Sequence, residues 1–159
     1  MTKTASMNVD ESPRAADLLS LDSKLGRMAW VAKLINPSDW YFFQDGSASM
    51  KIFHEILESY IDGKHHSTKL LGFVFIERSI AGRLAHIGEI TCAKKSSEKL
   101  LREAVDRCWI EQNEYDALES LRKERNALTH FRSAKEEKTN PSTEEIITAV
   151  FAIIKSTSI

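Results

Sequence analysis

Arg125 and Asn126 stand side by side, and four residues separate Arg125 from His130. A guanidinium presents a rigid fork of donors that suits carboxylate or phosphate oxygens. An imidazole has an unperturbed pKa suited to proton transfer near neutral pH. On a helix, at about 100° per residue, Asn126 and His130 lie one turn apart on the same face. Arg125 and His130 diverge by about 140° on an ideal helix, so a long arginine side chain has to wrap partway round to meet the imidazole. Two such helices facing each other across a two-fold axis bring the groups together with less distortion. The competing reading is structural. Arg125 then forms an ion pair with Glu124 or another nearby acid, and His130 interacts with the negative end of the helix dipole.

The segment 118–132, Leu-Glu-Ser-Leu-Arg-Lys-Glu-Arg-Asn-Ala-Leu-Thr-His-Phe-Arg, resembles the signature of the HEPN superfamily. That signature is an Arg, a polar residue that is often Asn, and a His after four to six intervening residues. The specific match is confined to these fifteen residues, and a looser likeness extends over 48–155. The resemblance implies an all-α bundle and a metal-independent endoribonuclease whose pocket forms across a paired interface. It assigns His130 to proton transfer at the ribose 2′-OH, Arg125 to the scissile phosphate, and Asn126 to orienting one or the other. With no cofactor, cleavage would leave 2′,3′-cyclic phosphate ends. One motif per chain implies a homodimer, joined through the third helix or its neighbours, with RNA as substrate and a cognate antitoxin as a possible partner. A non-catalytic dimer of the same descent, binding a protein or nucleotide, is the alternative.

Around the motif, Arg122 and Arg132 are candidates to receive an RNA backbone, together with Lys123 and Lys135. Glu119, Glu124, Glu136 and Glu137 interleave with them and dilute the patch. Glu77 and Arg78 interrupt a very apolar stretch. Val74, Glu77, Ile80, Ala81 and Leu84 share a face, so Glu77 is expected to point inward, where a carboxylate needs a partner. Arg125, or Arg78 of a second subunit, is the expected partner; a plain structural ion pair is the other reading of Glu77.

The elements that must carry these residues read as helices throughout. Ser12-Pro13 opens the first, which runs through Gly26 to the stop at Asn36-Pro37. The aromatic run Trp40-Tyr41-Phe42-Phe43 precedes the turn signal Asp45-Gly46 and reads as a plug in a bundle or dimer contact rather than a base-stacking platform. A second helix carries Ile52, Phe53, Ile56, Leu57, Tyr60 and Ile61, closed by Gly63. A third over 67–88 is apolar nearly all round, and so is central or covered by a partner. A fourth follows Ser96-Ser97 and carries Leu100 through Ile110. Asn113 caps a fifth, with Asp116 in its first turn. Ser142 and Glu145 form a capping box for the last. Period-two alternation is absent, which predicts an all-α bundle of five to six helices in one domain over 12–159, behind a disordered leader at 1–11.

Composition limits the function classes. Hydrophobic residues at 42% and charged residues at 28% suit a packed domain. Lys plus Arg number 22 against 23 acids, a net charge of −1, which argues against a protein coating long nucleic acid. The two cysteines, Cys92 and Cys108, show no CxxC spacing and are expected as buried free thiols in helices. His65-His66 reads as a loop and His86 as a solvated position. No HExxH, EF-hand, Walker or Gly-rich pattern suggests a metal or nucleotide site. The first ten residues lack a signal-peptide core, and the run 70–76 is far shorter than the roughly 20 residues a membrane span needs. A cytoplasmic protein is the resulting expectation.

Overall fold

The computed structural model describes residues 13–36, 46–129 and 141–156. Every regular element among them is a helix: α1 (Pro13–Leu34), α2 (Gly46–Ile61), α3 (His65–His86), α4 (Ile90–Ala93), α5 (Ser97–Asp106), α6 (Gln112–Thr129) and α7 (Thr143–Ser156). The all-α bundle is as the periodicity predicts. The extra element is the four-residue α4, too short to leave an apolar period in the sequence.

The third helix takes the centre. α2, α4, α5, α6 and α7 all pack on α3, which gives it the central place that its apolar circumference allows. Phe73, Ile76, Ile80 and Leu84 of α3 are sealed against Ile56 of α2, Leu101 of α5, Leu118 and Leu121 of α6, and Ile146, Ile147 and Val150 of α7. Burying a side chain of this size is worth about 1.5–3 kcal/mol, so this core supplies the main driving force. The α3–α7 crossing is close at Gly72, where a Cβ would stand 2.5 Å from Ile146 Cγ2. Glycine is the residue that permits this approach.

Three helix ends share one geometry. α2 closes with Gly63 N–H on the Tyr60 carbonyl and Lys64 N–H on that of Ser59. α3 closes in the same way, through Gly88 to Ala85 and Glu89 to Leu84. Gly63 and Gly88 both have positive φ, as the Schellman motif demands. α5 repeats the pattern with Cys108 N–H on Val105 and Trp109 N–H on Ala104, but its left-handed residue is Cys108, at φ 56°. The fourth helix of the sequence reading therefore stops at Asp106, four residues short of Ile110. With no glycine at the turn, nothing in the sequence marked the stop.

Local starts differ as well. The Ser142–Glu145 capping box is present, with Ser142 N–H on Glu145 Oε2 at 2.6 Å and Glu145 N–H on Ser142 Oγ at 3.1 Å. α6 begins before Asn113. Glu114, the acid of its first turn, reaches back to Glu111 N–H at 2.7 Å, so the expected cap lies inside the helix. Asp116 instead accepts from the Gln112 side-chain amide at 2.8 Å. His65 and His66 open α3 rather than filling a loop, and His65 Nδ1 lies 3.2 Å from Thr143 Oγ1. His86 ends α3 exposed to solvent, as expected. The cysteines are free, yet Cys92 is only half-buried and Cys108 is exposed, which corrects the expectation of two buried thiols. The leader 1–11 and the aromatic run 40–43 lie outside the described residues.

Candidate active site

α3, α5 and α6 converge beside Arg125. Phe73 and Glu77 lie one turn apart on α3 and so share a face. Arg125 crosses that face from α6, with its guanidinium carbon 4.8 Å from the centre of the Phe73 ring. Its Nη1 lies 3.4 Å from Glu77 Oε2, and its Nη2 lies 3.3 Å from Asn126 Oδ1. The first residue of α5 completes the group, as Ser97 Oγ donates to Glu77 Oε1 at 2.5 Å. One carboxylate thus bridges a hydroxyl and a guanidinium contributed by two other helices.

Burial here is partial. The side chains of Arg125 and Glu77 each keep 28% of their exposure. Glu77 points inward enough to meet Arg125, one of the two partners its position suggested, but it is not sealed from water. Arg78 is exposed on the next position of α3, and Glu77 turns to Arg125 and Ser97 within the chain. Arg125 keeps contact with solvent, its ring contact resting on the aromatic face that attracts cations.

Arg122, one turn before Arg125, is held more firmly. Its Nε and Nη2 form a fork on Glu119 at 2.7 and 2.6 Å, and Nη2 also lies 3.9 Å from Glu98. The hydrogen bond from Arg122, more than its charge, holds the Glu119 carboxyl below its usual range; the same bond raises Arg122. This arginine is largely neutralised within the chain, so it is a poorer receiver of RNA phosphates than its position in the motif suggests. Next to Arg125, Glu124 Oε2 is buried with no hydrogen-bond partner among the described residues. His130 and Arg132 lie outside the described residues. The site is therefore seen from its arginine and asparagine side.

Phe73 and Ser97 were missed as members of the site. Phe73 read as a core residue, and Ser97 as the start of a helix. The spacing of Phe73 to Glu77 was visible in the sequence, but the meeting of Ser97 with Glu77 depends on how α5 docks on α3.

Two other regions hold polar groups. A cavity of about 310 Å³ opens between the first turns of α6 and α7, lined by Glu114, Ala117, Leu118, Glu144, Ile146 and Ala149, among others. It sits two turns or more along α6 from Arg125. Near α4, Glu103 takes hydrogen bonds from Lys95 and Arg107, while Arg107 also binds Glu89. These bonds lower both carboxyls. Among the described residues no three His, Cys, Asp or Glu side chains are grouped to hold a metal ion, and no helix is long and apolar enough to cross a membrane.

Compared with known proteins, the chain matches no family model, no curated protein and no solved structure. The HEPN resemblance rests on the residues of 118–132, in the setting of an all-helical bundle.

Proposed function

We propose that this chain is a metal-independent endoribonuclease of the HEPN type, acting as a cytoplasmic homodimer. The observation that carries the reading is the pairing of Arg125 and Asn126, whose side chains touch at 3.3 Å beside a half-open surface. The 3.4 Å approach to Glu77 is long for a charge-assisted bond, which is normally about 2.7–2.9 Å, so an incoming phosphate can compete for the guanidinium. Glu77 and Phe73 then act as positioning residues that hold Arg125 ready.

In this mechanism His130 removes the proton from the ribose 2′-OH, and the 2′ oxygen attacks the adjacent phosphorus. The bond to the 5′ oxygen breaks, and that oxygen takes a proton from a second imidazole or from water. The products are a 2′,3′-cyclic phosphate and a 5′-hydroxyl. Arg125 stabilises the charge that builds on the phosphoryl oxygens as phosphorus becomes five-coordinate. Asn126 orients the imidazole or the phosphate. Pairing of two protomers supplies the second imidazole and relieves the angular divergence of Arg125 and His130 on one helix.

Purified protein should cleave a mixed RNA in EDTA, and Arg125→Ala and His130→Ala should each lower the rate by at least about 100-fold, the scale of a lost acid–base or oxyanion contact. Expression of the active chain should slow growth, with the same substitutions relieving it; a toxin held by a cognate antitoxin fits that behaviour. Equal cleavage by all three proteins would remove the assignment. The neutralisation of Arg122 by Glu119 favours a second reading, a non-catalytic dimer that binds a protein or nucleotide. That reading predicts no cleavage by any of them.

A further inference from the structure

Leu21, Leu25, Met28 and Ile35 are 50%, 52%, 46% and 40% exposed, and Ala32 between them is also open to solvent. Their spacing along α1 and one residue beyond it is four, three, four, three. That is the a/d repeat of a helix that packs along a partner helix. At about 100° per residue the five positions fall within an arc of about 80°. The opposite side of α1 is already used. Trp30 stacks on Tyr60 with centroids 5.3 Å apart, Arg27 Nε donates to the Ile61 carbonyl at 2.9 Å, and Val31 is buried. Among the described residues α1 packs chiefly on α2, and the a/d stripe faces away from it.

We infer that the exposed stripe of α1 is an antiparallel helix–helix interface with a second copy of this chain. A two-fold axis passing between Gly26 and Arg27 pairs the stripe with itself. Leu21 meets Ala32 of the other copy, Leu25 meets Met28, and the mates repeat in reverse, so each of these four layers has an apolar partner. Such self-complementarity is what an isologous interface requires. Gly26 offers no steric obstacle, since nothing lies within 4 Å of where its Cβ would stand.

Charge complements the antiparallel pairing of two copies. Asp22 and Lys33 are exposed on one flank of the stripe, eleven residues and close to three full turns apart. The same axis brings Asp22 of each copy within about two residue rises, roughly 3 Å along the helix, of the level of Lys33 of the other. Opposite charges therefore flank the interface twice. The stripe runs about 21 Å along the helix. Its area is on the order of several hundred Å² per copy, below the roughly 800 Å² of a standard interface, so association should be concentration-dependent in the micromolar range.

This inference does not depend on the ribonuclease reading, because the stripe lies on α1 and the motif on α6. Sedimentation velocity of the full chain over roughly 1–100 μM should show self-association. Leu25→Asp with Met28→Asp should halve the order of the assembly, dimer to monomer or tetramer to dimer, with the helical circular dichroism unchanged. Direction is read by cysteine cross-linking in a Cys92→Ser, Cys108→Ser background. Leu21→Cys mixed with Ala32→Cys should form a disulfide-linked pair, and Leu21→Cys alone should not. A monomer at every concentration, an assembly indifferent to the double aspartate, or efficient linkage of Leu21→Cys to itself would each overturn the inference. RNA cleavage by the double-aspartate protein is a separate readout, so loss of this interface and loss of the catalytic reading are distinguished.

Discussion

At Arg125 the groups that hold the guanidinium include the Glu77 carboxylate, the Asn126 amide oxygen and the Phe73 ring. Removing Glu77 should leave the arginine charged but poorly aimed. Glu77→Ala is expected to lower kcat for RNA cleavage by about 10- to 100-fold, the scale of a 1 Å misplacement, while KM changes less. Thermal unfolding should shift little, since Glu77 is half-exposed. Arg125→Lys should not rescue Arg125→Ala, because an ammonium lacks the planar fork. The need of Glu77 for a partner was legible in the sequence, since an acid on an apolar helix face demands one, but the choice between Arg125 and Arg78 of a second subunit was left open there. The hydroxyl of Ser97 was not legible, because it reaches Glu77 only after α5 has docked.

The elements show where local signals suffice and where packing overrides them. Apolar spacing located the long helices, and the Ser142–Glu145 box fixed the start of α7, because both signals lie within one or two turns. The end of α5 was illegible because Cys108 occupies the left-handed position that glycine usually marks. A non-glycine residue there costs about 1–2 kcal/mol. Cys108→Gly should therefore raise stability by about 1 kcal/mol after the entropy cost of glycine, measured by urea unfolding with an unchanged m-value. Gly72 should behave in the opposite way. Alanine favours helix by up to about 1 kcal/mol, but its Cβ would press on the fully buried Ile146, and overpacking costs about 1–3 kcal/mol. A net loss of about 1–2 kcal/mol is expected for Gly72→Ala in the same assay.

Across the whole molecule, Tyr60 ties four helices together. It stands on α2, packs on Trp30 of α1 and His65 of α3, and donates its hydroxyl to Glu144 of α7 at 2.8 Å. Burial first, then the bond to Glu144, pushes its phenol up to about 12 from an ordinary 10.0. The folded chain holds this proton where the unfolded chain releases it. Its contribution is thus complete below about pH 10 and is lost as pH rises toward about 12. Tyr60→Phe should flatten that alkaline fall in stability, seen as a smaller drop in Tm between these limits. At this scale α3 takes the central place that was one of the two settings its apolar circumference allowed. α3 is wrapped by its own chain, and the broad exposed apolar stripe lies on α1, whose low density of contacts could not be read from one helix in isolation.

The central claim is that Arg125, Asn126 and His130 cleave RNA through the 2′ oxygen without a metal. Phosphorus NMR of a defined single-stranded RNA, incubated with the protein in EDTA, tests it most directly. A new 2′,3′-cyclic phosphate resonance that appears with the native chain and not with His130→Ala is the predicted result. An intact RNA spectrum, or ends bearing a linear 3′-phosphate or 3′-hydroxyl with no cyclic precursor, would contradict it.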